Sequence, residues 1–268
     1  MREEGGTGSL LALEGRRALV TGGSRGVGRA TALLLARAGV RVAFTWRTGE
    51  VEANRTLAEL AAPGTGVGTG AGIPGLAIQA DLTDEGRVGE VFDEVDRAWG
   101  GVDLVIGNHG IWPPEGVPLS EMSTAQWRRT LAVNLESLFF VTREAARRVS
   151  DDGRIVLVSS TAAQRGEAFH GDYAASKGAL VSLVKGLAVE LAPRGITVNA
   201  VAPGWVETDM VASALRGEAR RAAVAGIPLG RIATPDDVAG PIVFLCSPLA
   251  RHVTAEVMNV NGGAVPFG

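Results

Sequence analysis

The chain is poor in the residues that usually carry covalent or metal chemistry: one cysteine, one tyrosine and three histidines in 268 residues. A lone cysteine, Cys246, excludes an internal disulfide framework and fits a reducing compartment. Its neighbours Val243, Phe244 and Leu245 mark it as a buried structural thiol rather than a nucleophile. His109, His170 and His252 are too widely spaced to resemble a ligand set, so no metal is expected. No apolar run reaches the roughly 18 residues of a membrane span. The net charge of -3 gives no electrostatic footprint for nucleic acid or an anionic membrane. Residues 1–9 are glycine-rich and polar, lack the apolar centre of a signal peptide, and read as a frayed tail. These absences point to a cytoplasmic protein that partners neither nucleic acid nor membrane.

What is present is a strong alternation of short β-branched runs with helical patterns. Hydrophobic residues at 46% and charged residues at 21% suit a soluble protein with ample core. Strands are expected over residues 17–21, 41–45, 76–81, 102–106, 154–159, 196–201 and 256–260. Helices are expected over 29–38, 50–62, from a Thr83 cap to about 99, and over 172–192. Another should run from a capping box at Ser123 and Gln126 to about 149. A last helix should open at Thr234-Pro235-Asp236-Asp237, which supplies a cap, an N1 proline and acids. Such alternation implies an α/β fold, a doubly wound parallel sheet of about seven strands between two helical layers. No composition shift marks a boundary, so residues 1–268 read as one domain. Residues 63–75, with six glycines, read as a surface loop without assigned function.

The first strand runs into Thr21-Gly22-Gly23-Ser24-Arg25-Gly26-Val27-Gly28 and then directly into a helix. Glycines let the backbone turn sharply and approach a pyrophosphate, while helix N-terminal amides attract its charge. In dinucleotide sites an acid at the end of the second strand suits the ribose of NAD, and a cation suits the 2′-phosphate of NADP. Here that strand ends in Thr45-Trp46-Arg47-Thr48, with no acid, and Arg25 offers a second cation. NADP(H) is therefore the expected cofactor and NAD(H) the alternative, with Glu50 slightly further on as a complication.

Tyr173-Ala174-Ala175-Ser176-Lys177 opens the helix expected over 172–192. Residues four apart share a helix face, which places the Lys177 ammonium near the Tyr173 hydroxyl. A nearby cation favours the phenolate, and moving a phenol by roughly 3 pH units takes roughly 4 kcal/mol. A phenol tuned in this way exchanges a proton with a carbonyl or alcohol oxygen.

With these two motifs placed, the chain resembles a short-chain dehydrogenase/reductase of the single-domain kind over roughly residues 11–263. The resemblance rests on Thr21-Gly22-x-x-x-Gly26-x-Gly28, Asp81, Asn108-His109-Gly110, Asn134, Ser160, Tyr173-x-x-x-Lys177, Pro203-Gly204 and Asn261-Gly262-Gly263. It implies a Rossmann-type fold and an NAD(P)-dependent oxidoreductase of ketones or secondary alcohols. By the same resemblance Tyr173 would be the general acid or base, and Lys177 would lower its pKa and bind the nicotinamide ribose. Ser160 would hold the substrate oxygen, Ser159 would be a structural neighbour, and Asn134 would bind a water linking Lys177 to solvent. The glycine turn (Gly22, Ser24, Arg25, Gly26, Val27, Gly28), Arg47, Asp81, Leu82, Asn108 and Gly110 would contact the cofactor. Pro203, Gly204, Val206 and Thr208 would position the nicotinamide. Two departures from the family pattern are the turn, with Gly107 in place of an asparagine and His109 in place of an alanine, and, more mildly, Asn261 in place of an aspartate.

Substrate contacts are expected from Trp112, Gln164, Glu167, Phe169, His170 and Trp205, and from a loop over 205–227. The pattern is closest to 3-oxoacyl-[acyl-carrier-protein] reductases, through residues 198–204 and Glu207-Thr208-Asp209-Met210. A carrier-protein partner needs basic surface, which Arg143, Arg147 and Arg148 would supply, although Val189 stands where those reductases carry an arginine. The competing readings are that acyl-carrier role, an epimerase or dehydratase, and a non-catalytic NADP-binding sensor. The resemblance also implies a homotetramer, with a homodimer as the alternative.

Overall fold

The computed structural model describes residues 10–62 and 75–266. The tail over 1–9 and nearly all of the glycine-rich stretch lie outside the described residues. Strands β1 (Arg17–Val20), β2 (Arg41–Trp46), β3 (Leu76–Gln79), β4 (Val102–Gly107), β5 (Val149–Val158), β6 (Thr197–Pro203) and β7 (Val257–Val260) form one sheet. Its order is β3-β2-β1-β4-β5-β6-β7 and every pairing is parallel. The helices are α1 (Gly26–Arg37), α2 (Glu50–Leu60), α3 (Glu85–Trp99), α4 (Thr124–Leu131), α5 (Ser137–Arg148), α6 (Ala162–Arg165), α7 (Gly171–Leu191), α8 (Gly217–Ala225) and α9 (Pro235–Cys246).

Strand alternation divides the core into two layers. Leu19 of β1 packs in the cluster that holds Val91 and Phe92 of α3, Val141 of α5 and Val184 of α7. Its neighbours Ala18 and Val20 join Leu35 of α1, Ala53 of α2 and Ile242 of α9 on the other face. This is the expected doubly wound α/β/α arrangement. Strand order reverses between β1 and β4, so a crevice opens beyond their carboxyl ends.

Several local expectations are corrected. Helix α1 begins at Gly26, earlier than expected, because a left-handed φ of +54° there turns the chain straight into the helix. Asp84, not Thr83, caps α3: its carboxylate accepts from the amides of Gly86 (2.9 Å) and Arg87 (3.3 Å). Thr83 instead donates its hydroxyl to Asp81. Ser123 caps α4 through the Gln126 amide, but the Gln126 side chain reaches Asp172 rather than completing the box. The long helix after it is interrupted by a π-helical segment over Ala132–Glu136. Strand β5 starts at Val149, ahead of the expected 154, and a register shift past Val102 takes up Asp152, a non-glycine residue at φ +58°. Polar Ser150-Asp151-Asp152-Gly153 hides that extension from any alternation pattern. At α9 the Thr234–Asp237 capping box forms in full, as expected. Cys246 is buried at the end of that helix. Among the described residues no helix is long and apolar enough to cross a membrane.

Candidate active site

A cleft of about 730 Å³ lies at the carboxyl ends of the strands and collects most of the residues singled out above. At one end sits the glycine turn. Gly22 is left-handed (φ +67°), and a Cβ there would come within 3.0 Å of the His109 Cβ. The Asn108 side-chain amide donates to the carbonyls of Thr21 (2.9 Å) and Gly22 (3.2 Å) and so fixes the turn from behind. Arg25 occupies the N-cap of α1 without a side-chain cap, and no acid stands in the first turn, so the positive helix end faces the cleft. Gly28 does not line the cleft: a Cβ there would fall 2.3 Å from the Gly22 carbonyl oxygen, and its smallness lets α1 pack onto the turn.

The end of β2 contributes Thr45, Trp46, Arg47 and Thr48, and the end of β3 leads to Asp81 and Leu82. Arg47 lies 3.6 Å from the Asp81 carboxylate, whereas Arg25 makes no ion pair among the described residues. Thr83 and Arg47 hold the Asp81 carboxyl below its ordinary range against the opposing effect of burial. Glu50 does not line the cleft.

Ser160, Tyr173 and Lys177 meet further along, beside Pro203, Gly204, Trp205, Val206 and Thr208. Asp172 orients the start of α7: its buried carboxylate accepts from the Tyr173 amide (2.9 Å) and from the Thr130 hydroxyl of α4 (2.7 Å). The Ser160 hydroxyl accepts from the Ala162 amide at 3.1 Å and stands close enough to the Tyr173 phenol to favour its ionised form. Lys177 Nζ donates to the Val158 carbonyl at 2.9 Å and lies 6.0 Å from the Tyr173 ring centroid. Burial pushes Lys177 down to about 8. The same burial, aided by the Glu167 charge and opposed by Ser160, pushes the Tyr173 phenol up to about 12. In the free protein burial thus keeps the phenol above its ordinary value, and the expected lowering by Lys177 does not act there. Ser159 also borders the cleft, and it donates its hydroxyl to the Lys177 carbonyl.

Asn134 sits in the π-helical segment, out of the cleft lining. Its Oδ1 accepts from the Ile111 amide (2.7 Å), and its Nδ2 donates to the Ile111 carbonyl and the Ser176 hydroxyl. A Cβ on Gly110 would lie 3.1 Å from that Oδ1 and 3.4 Å from Lys177 Nζ. Gly110 thus keeps a gap open between the two groups.

A family model described as Enoyl-(Acyl carrier protein) reductase matches residues 22–265. A 3-oxoacyl-[acyl-carrier-protein] reductase of Aquifex aeolicus is 38% identical over 255 residues, covering 94% of this chain and 98% of that one. A short-chain dehydrogenase of Burkholderia cenocepacia, solved in complex with NADP, shares 37% identity with a TM-score of 0.86, over 94% and 98% of the two chains. The chain belongs to the short-chain dehydrogenase/reductase family. It is an oxidoreductase of CH–OH and carbonyl groups. A blue fluorescent protein from a metagenomic library, solved with NADPH, is a further structural relative of this dehydrogenase/reductase, at 36% identity, TM-score 0.86 and coverage of 94% and 99%.

His109 departs from the family turn, yet its ring is well housed. Nε2 lies 2.6 Å from the Ser137 hydroxyl and Nδ1 2.8 Å from the Thr21 hydroxyl. Ser137 commits its own proton to the Val133 carbonyl at 2.6 Å, which leaves Nε2–H as the donor and Nδ1 as the acceptor for Thr21. Burial and the Lys177 charge push His109 down to about 3, so the ring is neutral. In this dehydrogenase/reductase the imidazole ties the turn after β1 to the start of α5. His109→Ala removes both ring contacts and leaves a cavity, and is expected to cost about 2 kcal/mol at neutral pH by urea unfolding. That gap should narrow as pH falls below 6.5, because the unfolded chain then takes up a proton that folded His109 refuses. A gap that is constant with pH would contradict the neutral-ring assignment.

Of the substrate candidates, Trp112 and Trp205 line the cleft, whereas Gln164, Phe169 and His170 do not. Phe169 is exposed in a left-handed turn at φ +66°. His170 lies behind Trp112 and stacks on it at 4.6 Å between centroids. Glu167 does reach the cleft, as do Arg165, Met210, Val211 and Ile227. Arg165 escaped the sequence reading, since nothing in local pattern distinguishes a rim residue from a solvated one.

Proposed function

We propose that this enzyme is NADP(H)-dependent and transfers a hydride between the nicotinamide and a ketone or secondary alcohol, with Tyr173 as proton donor or acceptor. The observation that carries the reading is that Ser160, Tyr173 and Lys177 line the same cleft as the glycine turn and Arg25. The cradle fits a dinucleotide: two left-handed glycines, Gly22 and Gly26, whose side-chain space is taken by His109 and Thr208, and an uncapped helix N-terminus. Ser24, Arg25, Gly26 and Val27 would hold its phosphates, Asp81 and Leu82 its adenine side, and Asn108, Gly110 and Lys177 its nicotinamide ribose. Pro203, Gly204, Val206 and Thr208 would flank the nicotinamide, and bound NADPH supplies the hydride.

In reduction, Ser160 and Tyr173 donate hydrogen bonds to the carbonyl oxygen, and Tyr173 gives up its proton as the oxygen becomes an alkoxide. A phenol held protonated suits that direction. Lys177 then stabilises the phenolate, and the gap between Lys177 Nζ and Asn134 Oδ1 would admit a water that returns the proton. Oxidation runs these transfers backwards and needs the phenolate. Residues 205–227, which include α8, would cover the substrate.

Arg25 and Arg47 would meet the 2′-phosphate, and Arg25 contributes more because Asp81 already attends Arg47. Activity with NADPH is expected to exceed that with NADH by about tenfold or more in kcat/KM, and Arg25→Ala should erase most of the preference. A strong preference for NADH in the wild type would refute this assignment.

A second reading, a 3-oxoacyl-[acyl-carrier-protein] reductase, is favoured by the names of the curated relatives. The arginines offered for carrier docking speak against it, since Arg143 pairs with Glu85, Arg147 with Glu144, and Arg148 with Asp93, Asp96 and Glu144. Exposed Phe139 on α5 and Val189 on α7 support a homotetramer or homodimer, which light scattering measures directly. A panel of carbonyls and alcohols with both cofactors tests the whole reading. Binding without turnover of any substrate would favour the sensor instead.

A further inference from the structure

Past the Ser160–Tyr173 pair the cleft wall changes character. Helix α6 ends at Gly166, whose left-handed φ of +72° swings the chain so that Glu167 enters the lining. The Glu167 side chain is only 14% exposed. One of its oxygens, Oε1, accepts from the Trp112 indole N–H at 3.2 Å, and His170 Nδ1 stands 3.7 Å from the same atom. Trp112 is locked in turn, stacked on His170 (18° between planes) and meeting Trp205 edge-on at 5.9 Å. The carboxylate is therefore held by a rigid aromatic corner and not by a flexible arm.

A carboxylate accepts about four hydrogen bonds, so this one keeps capacity for a ligand. Its charge also reaches the reacting end, where it helps keep the Tyr173 phenol protonated. Arg165, a cation of the same lining, is solvent-exposed, and water screens it far more than the interior screens Glu167.

We propose that Glu167, fixed by Trp112 and Trp205, makes the substrate end of the cleft selective for carbonyl compounds that bear a hydrogen-bond donor beside the carbonyl, hydroxy-ketones or amino-ketones and the matching alcohols, and hostile to those bearing a carboxylate there. The proposal rests on the oxidoreductase reading above and narrows its substrate class. Glu167 accepts the donor's proton in a hydrogen bond, the tryptophans cover the adjoining carbon skeleton, and a substrate anion meets a like charge in a poorly screened corner.

The test uses 2-hydroxyacetophenone and benzoylformate, two aryl ketones that differ by a hydroxymethyl against a carboxylate. Wild-type enzyme should favour the hydroxy-ketone in kcat/KM by about tenfold or more. Glu167→Gln should shrink that ratio by about tenfold, and Glu167→Asp should preserve its sense. The same Gln variant should lower the pH at which the Tyr173 phenolate absorbs, which loss of packing alone would not do. Equal or better use of benzoylformate by the wild type, or a ratio unmoved in Glu167→Gln, overturns the proposal. Binding of the two ketones, followed by tryptophan fluorescence, separates the failures: a preserved binding preference with no cofactor oxidation on either ketone sinks the oxidoreductase reading and leaves the charge selection standing.

Discussion

Tyr173→Phe is expected to lower kcat for any accepted ketone by about 10²- to 10⁴-fold, the usual share of a positioned acid. KM should change little, because Ser160 and the cleft wall remain. Since Tyr173 is the only tyrosine of the chain, its ionisation can be followed by near-ultraviolet absorbance alone. In the free protein the midpoint should lie near 12. The two directions of reaction then respond oppositely to pH. Reduction needs the protonated phenol and should be flat through neutrality, whereas oxidation needs the phenolate and should quicken as pH rises. A Phe variant with unchanged kcat would remove Tyr173 from the mechanism, and a phenol that titrates near its ordinary value would contradict its burial.

Lys177→Met should lower kcat by about 10²-fold or more, through loss of the cation that stabilises the phenolate. It should also change how stability depends on pH. Folded Lys177 loses its proton near 8, while an unfolded lysine holds it to 10.5. Between those values the unfolded chain binds the additional proton, so this residue makes the wild type more stable as pH rises. The full increment is roughly 3 kcal/mol. Tyr173 and Cys246, both pushed up to about 12, act in the opposite sense above their ordinary values in both proteins. The informative quantity is thus the difference between wild type and variant. It should shift in favour of the wild type by a few kcal/mol from pH 8 to 10.5, and a constant difference in urea unfolding would disprove the buried, proton-poor lysine.

The fold was legible because its signals are local and repeated. Seven β-branched runs, each followed by a turn and most by a helical period, leave few arrangements other than a parallel sheet covered on both faces. Where the reading failed, a long-range contact had overridden a local preference. Gln126 leaves its capping box open and donates instead to the buried Asp172 carboxylate, which needs donors. The register shift in β5 follows from pairing with β4, and Ser150 to Gly153 carry no trace of it.

At the site, spacing alone placed the glycine turn after β1 and set Tyr173 four residues from Lys177, since both are matters of neighbours along one helix or turn. Spacing says nothing about solvent. How far water is shut out around Tyr173 and Lys177 depends on β5, β6 and the π-helical segment closing over them. That burial, not the lysine, decides where the free phenol titrates. Likewise Glu167 and His170 looked equivalent in sequence. Only the packing of Trp112 between them put the carboxylate in the cleft and the imidazole behind the wall, because side chains from four separate segments compete for one small volume and the chain order does not record which of them wins.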